Sequence, residues 1–181
     1  GREFTADLKI TDTRSNDQIQ VTPVTGANPQ ALAAALFAEF EQAAEGVVQA
    51  GICNDNVAAQ AWQDALQNCE TALAAVPNNT TALYGKGTAL LNLDRPAEAL
   101  AVYEGILERD ATHQNALRAA GLAASRLDRN ADALEFYNRY LQLNPGNVQV
   151  KATAESFRPI TTPFNVRRGE NRTTSEPKRA M

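Results

Sequence analysis

Apolar and polar residues alternate at the start of the chain. Phe4, Ala6, Leu8 and Ile10 are separated by mostly polar residues, a polar cluster covers residues 11–17, and Ile19 and Val21 alternate again before Pro23. A period of two predicts two short strands, at residues 3–10 and 18–22, joined as a hairpin. A lone hairpin is marginal in water, so it must pack on something else. From residue 28 the pattern turns helical. Asn28 and Pro29 read as an N-cap followed by an N1 proline. Leu32, Leu36, Phe37, Phe40, Ala44, Val47 and Val48 then form one stripe. This helix is expected to end near Gly51, with Cys53, Asn54, Asp55 and Asn56 as a loop. A second helix is expected over residues 58–75, carrying Trp62, Leu66, Cys69 and Leu73, and ended by Pro77, Asn78 and Asn79.

The next stretch repeats itself at a fixed offset, the step from Ala82 to Ala116. At the same step Leu83 matches Leu117, Gly87 matches Gly121 and Ala89 matches Ala123. Leu93-Asp94-Arg95 matches Leu127-Asp128-Arg129, and Tyr103 matches Tyr137. Each copy reads as two helices. Gly87 and Gly121 would let the helices of a hairpin approach closely, facing Ala99 and Ala133, with Tyr103 and Tyr137 filling the space beside neighbouring hairpins. No such hairpin buries its apolar face alone, so the hairpins must stack.

These residues resemble the tetratricopeptide repeat family, strongly over residues 80–147. Residues 29–79 resemble a degenerate first repeat, its spacing stretched by the long first helix and the loop at Cys53. Ala65, Cys69 and Pro77 still fall one full repeat before Ala99, Tyr103 and Ala111. Pro145 holds the repeat-ending proline position, and Ala111 replaces it in the middle copy. The fold this implies is all-α. A solenoid of about three helical hairpins spans residues 28–157 and includes a capping helix over 148–157, with Gln149, Lys151 and Glu155 as its polar outer face. A strand-forming segment precedes it at 1–27 and an extended basic tail follows at 158–181.

The resemblance also implies a concave groove lined by the first helix of each hairpin: Thr81, Tyr84, Thr88, Leu91 and Asn92, then Asn115, Arg118, Leu122, Ser125 and Arg126. Family members that clamp a peptide's terminal carboxylate use Lys, Arg and Asn there. Thr88 and Leu122 stand where Asn would be expected, so no such clamp is expected. A groove for an extended or helical peptide and a merely solvated face both remain open.

Charge changes the picture at the ends. The chain of 181 residues has net charge −4, which argues against nucleic-acid binding. Residues 158–181 hold six Lys or Arg and two Glu, so the body is acidic and the tail basic. No stretch is apolar enough to span a membrane. The chain begins at Gly1 and its only Met is Met181, so either a cleaved leader or a fragment is expected.

Candidate chemistry is sparse. His113 has no nucleophile or carboxylate partner in the pattern and reads as a turn residue rather than a catalyst. There is no phosphate loop, and two cysteines without a paired His do not make a zinc site. Two acidic or amide clusters, Asp12/Asn16/Asp17 and Asn54/Asp55/Asn56, offer oxygen ligands for calcium without EF-hand spacing, and read first as a turn and a helix cap. Asn78, Asn79 and Asn171 sit in Asn-x-Thr patterns that matter only on a glycosylating export route. Cys53 and Cys69 are either free thiols or one bridge. The bridge would need the loop to fold back along the second helix, and implies an oxidising compartment.

No cofactor and no metal are expected. The expected function is a non-enzymatic scaffold for protein assembly. In the first version it is an exported (periplasmic or extracellular) subunit that binds copies of itself and can extend as a filament. Its contacts would run through Phe4, Leu8 and Ile10 at one end and Ile160, Phe164, Val166, Arg167 and Arg168 at the other. In the second it is a monomeric adaptor, envelope or cytoplasmic, holding a partner protein in its groove.

Overall fold

The computed structural model describes residues 3–11, 18–20 and 23–158. Within them four short strands precede seven helices. The strands are β1 (Phe4–Ala6), β2 (Lys9–Thr11), β3 (Gln18–Gln20) and β4 (Val24–Gly26). The helices are α1 (Pro29–Ala58), α2 (Trp62–Ala75), α3 (Thr80–Asn92), α4 (Pro96–Arg109), α5 (Gln114–Arg126), α6 (Asn130–Leu143) and α7 (Val148–Ser156). Helices α1–α2, α3–α4 and α5–α6 pair as hairpins. Each hairpin packs on the one before it, and α7 packs on α6.

The backbone keeps the repeat offset more strictly than the side chains do. Helices α2, α4 and α6 begin and end at positions shifted by one repeat, and so do α3 and α5. The chain breaks each first helix with a residue in the left-handed region: Gln60 (φ 60°), Asp94 (φ 59°) and Asp128 (φ 57°). Asn79, His113 and Asn147, again one repeat apart, cap the helices that follow them, each accepting from the backbone N–H three residues on.

The first repeat is therefore not stretched. Residues 46–58 of α1 are in register with α3, and residues 29–45 are an overhang preceding the repeat. The helix runs through the expected loop because Cys53 is fully buried and Val57 packs on the main core. That packing overrides the weak helix propensity of Asn54-Asp55-Asn56. The break falls at Gln60, and α2 starts at Trp62 rather than at residue 58.

The core forms between hairpin layers around Leu90, Leu100, Tyr103, Ile106, Leu117 and Tyr137. What lies nearest the repeated glycines is a tyrosine ring. A Cβ on Gly87 would lie 2.6 Å from Cε1 of Tyr103, and one on Gly121 would lie 2.7 Å from Cε1 of Tyr137. Each glycine vacates the space that the tyrosine ring of its own hairpin fills. Burying such a ring contributes roughly 1.5–3 kcal/mol, so the exchange of one side chain for another is favourable.

At the N-terminus β1 pairs antiparallel with β4, and β2 with β3, so one hairpin is divided into two ladders with Asp7 and Leu8 between them. Strand β4, which the alternation does not predict, extends the hairpin up to α1. The hairpin finds its packing partner in α1 and α2: Leu8 and Ile10 lie against Ala43 and Val76. At the other end α7 buries Val150 and Ala154, and Phe157 stacks on Tyr137 at 6.1 Å between ring centroids. Gln149, Lys151 and Glu155 face outward.

Candidate functional site

The expected groove lies along the first helices of the hairpins, and most of the polar groups there bond within the protein. Thr88 donates its hydroxyl to the Tyr84 carbonyl at 2.9 Å and lies 3.3 Å from the Tyr103 hydroxyl. Asn92 donates to the Thr88 carbonyl at 2.8 Å. Arg126 crosses from α5 to α3, donating to the Leu91 carbonyl at 2.5 Å, where it satisfies a free carbonyl of the last helical turn. Ser125 donates to the Leu122 carbonyl at 2.7 Å. Leu91 is buried. Arg118, Leu122 and Asn115 are exposed, and Tyr84 is half-buried, its ring 5.9 Å from Tyr103 and 6.3 Å from His113.

Burial pushes the Tyr103 phenol up to about 12, against smaller opposing effects of the Thr88 hydrogen bond and the Arg118 charge. Burial raises Tyr137 too, with the Ser125 hydroxyl and Arg118 opposing. Both phenols are neutral packing groups at neutral pH, unsuited to act as bases. His113 places Nδ1 3.1 Å from the Ala116 N–H as the cap of α5, which is the work Asn does in the neighbouring repeats. Among the described residues no cluster of three or more His, Cys, Asp or Glu forms a metal site. Asn54, Asp55 and Asn56 lie within α1 rather than in a loop. Asn79 is 2 % exposed with its side chain engaged as a cap, which leaves no room for a glycan there. Between the second helices α4 and α6, a hollow of about 400 Å³ is lined by Glu104, Glu108, Asp132 and Glu135 with Arg129 and Arg139. Arg129 pairs with Asp132, and Arg139 donates to the Ala111 carbonyl.

Cys53 and Cys69 are joined by a disulfide with Cα atoms 5.0 Å apart, and both are fully buried. No loop has to fold back, since both cysteines lie on helices that run side by side. They occupy the register of Gly87 and Tyr103, so in the first repeat a covalent bond replaces the glycine–ring contact. A Cβ on Gly85 of α3 would lie 2.5 Å from Cys53 Sγ and 3.0 Å from Cys69 Sγ, which places the bridge where α1, α2 and α3 meet.

Residues 56–125 match the sequence profile of the tetratricopeptide repeat. Across those residues the chain is a tetratricopeptide-repeat protein. Among solved structures it is similar to the first such domain of Spaghetti (RPAP3) bound to the HSP90 peptide SRMEEVD. The TM-score is 0.61 at 18 % identity, over 64 % of this chain and 91 % of that one. It is also similar to the Arabidopsis OM64 repeat domain, with TM-score 0.61 and 20 % identity over 65 % of this chain and 97 % of that one. A third likeness is MamA from Desulfovibrio magneticus RS-1, with TM-score 0.59 and 20 % identity over 62 % of this chain and 63 % of that one. At these identities the likeness is one of fold. No curated protein matches the sequence.

The tetratricopeptide solenoid thus collects Tyr84, Thr88, Asn92, Arg118, Leu122 and Arg126 on neighbouring first helices, with Leu91 beneath them. It separates them from the end residues. Of the N-terminal trio, Leu8 and Ile10 turn inward and Phe4 stays 39 % exposed. Ile160, Phe164, Val166, Arg167, Arg168 and Asn171 lie outside the described residues, as do Asp12, Asn16 and Asp17. No helix among the described residues is long and apolar enough to cross a membrane. The feature that periodicity missed is on α1, where Phe37, Phe40, Val48 and Ile52 are 62 %, 49 %, 54 % and 40 % exposed. The sequence did carry a signal: Val48 and Ile52 fall one repeat before Ala82 and Lys86.

Proposed function

We propose that the chain is a non-enzymatic scaffold that assembles protein subunits, chiefly further copies of itself, in an oxidising compartment outside the cytosol. One observation carries the reading: of the seven exposed large apolar side chains on the described helices, four (Phe37, Phe40, Val48 and Ile52) cluster on α1 at one end of the solenoid, Val148 lies on α7 at the other, and only Leu122 lies along the groove helices α3 and α5. An apolar surface at an end favours contact between units laid end to end, which extends into a filament when the contact does not close on itself. The buried Cys53–Cys69 bridge supports the compartment, because such bonds persist where thiols are kept oxidised. Sedimentation velocity on the full chain tests the reading. The expected result is a mass that grows with concentration, and a monomer at every concentration overturns it. For the compartment, cells are quenched in acid and alkylated. Cys53 and Cys69 are expected to resist the reagent until reduced, and free thiols in the native protein overturn that part.

A second reading is supported by the exposed Arg118 and Leu122 beside the half-buried Tyr84, which offer a cation, an apolar contact and a ring to an extended peptide. The peptide-bound relative supports a peptide in this groove. A clamp for a terminal carboxylate is not part of this reading, since the hydroxyl of Thr88 and the guanidinium of Arg126 are already bonded to backbone carbonyls. Loss of partner capture in Tyr84→Ala and Arg118→Ala, with an unchanged monomer mass, would favour this reading over the first.

A further inference from the structure

In every inner repeat, one position of the first helix is sealed by the hairpin that precedes it. Ala82 is fully buried against Ala72 of α2. Ala116, its counterpart one repeat later, is also fully buried, and Val150 in α7 is 7 % exposed. The matching residue of the first repeat is Val48, and it is 54 % exposed. Ile52 lies one turn further on, and Phe37 and Phe40 carry the same exposed stripe back along the overhang. The N-terminal hairpin covers the neighbouring side of α1, at Ala43 and Val47, and leaves the stripe open. The stripe is thus the stacking face of the solenoid with no hairpin upon it.

The charges around it narrow what fits. Helix α1 contains Glu39, Glu41, Glu45 and Asp55, and no Lys, Arg or His. A second α1 laid against it would oppose like charges. The basic and apolar stretch of the chain is residues 158–181, where Ile160, Phe164 and Val166 are flanked by Arg158 on one side and Arg167 and Arg168 on the other. In sequence it follows α7, which packs on α6 at the end opposite α1. Ile160 is two residues past Arg158, a reach of at most about 7 Å, and Val166 is eight residues past it, a reach of at most about 29 Å. The first helices α1, α3, α5 and α7 lie at roughly 8–10 Å spacing, so α1 of the same copy is about three spacings away. Fully extended, Val166 alone reaches the α1 of its own copy, so Ile160, Phe164 and Val166 together meet an α1 stripe only in another copy.

We infer that the Phe37–Phe40–Val48–Ile52 face of α1 is the docking site for residues 158–181 of a second copy, with Ile160, Phe164 and Val166 on the apolar stripe and the arginines beside Glu39, Glu41 and Glu45. The inference rests on the self-association reading above and specifies its contact. The contact is heterologous: each copy offers one stripe and one tail.

Two full-length variants test it, Phe37→Asp/Phe40→Asp at the stripe and Arg167→Glu/Arg168→Glu in the tail. Neither pair belongs to the described core, since the phenylalanines are exposed and the arginines follow the last described helix in sequence. Wild type is expected to form concentration-dependent oligomers in sedimentation velocity, and each variant alone is expected to lose them. Mixed together, the two variants are expected to restore a two-chain species and nothing larger, because only one intact stripe meets one intact tail. Oligomers that persist in the stripe variant overturn this docking site while leaving self-association standing. A wild type that stays monomeric overturns both. A monomeric wild type whose tail crosslinks to its own α1 shows the same face closed in cis, and overturns the second copy as occupant.

Discussion

Gly85 on α3 lies directly against the sulfur of Cys53: a Cβ at this position would sit 2.5 Å away. The corresponding residue one repeat on is Ala119, which has a Cβ and no disulfide beneath it. Gly85→Ala is expected to destabilise the chain by about 1–3 kcal/mol, the usual cost of overpacking a filled core. The loss should shrink when Cys53 and Cys69 are both replaced by Ala, because the obstructing sulfurs are gone. A double-mutant cycle by urea unfolding measures the coupling, and equal losses in both backgrounds would contradict the contact.

Reducing the bridge has a different effect, acting on the unfolded chain. The cysteines are 16 residues apart, and closing a loop of that size stabilises by about 3 kcal/mol in the chain-entropy account. Urea midpoints with and without reductant should differ accordingly. The register adds a sharper expectation. Cys53→Gly combined with Cys69→Tyr recreates the glycine–ring pairing of the other two repeats, and should recover part of that loss without any covalent bond. If the double variant is no more stable than the reduced wild type, the correspondence of the three repeats is only one of backbone.

His113 can be exchanged for the residue its neighbours use. His113→Asn should keep the stability of the wild type within a few tenths of a kcal/mol, since Asn79 and Asn147 cap α3 and α7 in the same geometry. His113→Ala should cost about 1 kcal/mol. Denaturant unfolding of the two variants decides. A large loss in the Asn variant would mean that the ring contact with Tyr84, at 6.3 Å, carries more weight than the cap.

Alkaline stability should report on Tyr103. Its folded-state value of about 12 lies above the ordinary phenol value of 10.0, so the unfolded chain releases the proton first. The contribution is complete below about pH 10 and is lost as pH rises towards about 12. Comparing urea midpoints near pH 9 and near pH 11 should show a smaller fall in Tyr103→Phe than in the wild type. An equal fall would place the titration elsewhere.

Much of this fold can be read from the chain because the repeat is both a packing pattern and a backbone pattern. Gly87 with Tyr103 and Gly121 with Tyr137 mark two hairpins by side chain. The first hairpin is harder to read because Cys53 and Cys69 fill those positions, and Asn54-Asp55-Asn56 has the composition of a loop. Burial of Cys53 and Val57 decides the matter, and burial is a property of the assembled hairpins. The groove was legible as a set of positions, whereas the internal bonding of Thr88, Asn92 and Arg126 was not, since it depends on which way each side chain turns. The stripe on α1 was hidden for a related reason. Phe37, Phe40 and Val48 have the periodicity of a core face, and periodicity does not say whether anything lies against it.

The left-handed residues at Gln60, Asp94 and Asp128 divide the molecule into interchangeable lengths. Removing residues 95–128 joins Asp94 to Arg129, and the seam reads Asp-Arg, as both original junctions do. Duplicating the same block inserts one more hairpin without altering either terminus. A chain punctuated in this way can change its span by whole steps while the surfaces at its two extremities stay as they are. Subunit length and subunit contact are then free to vary independently.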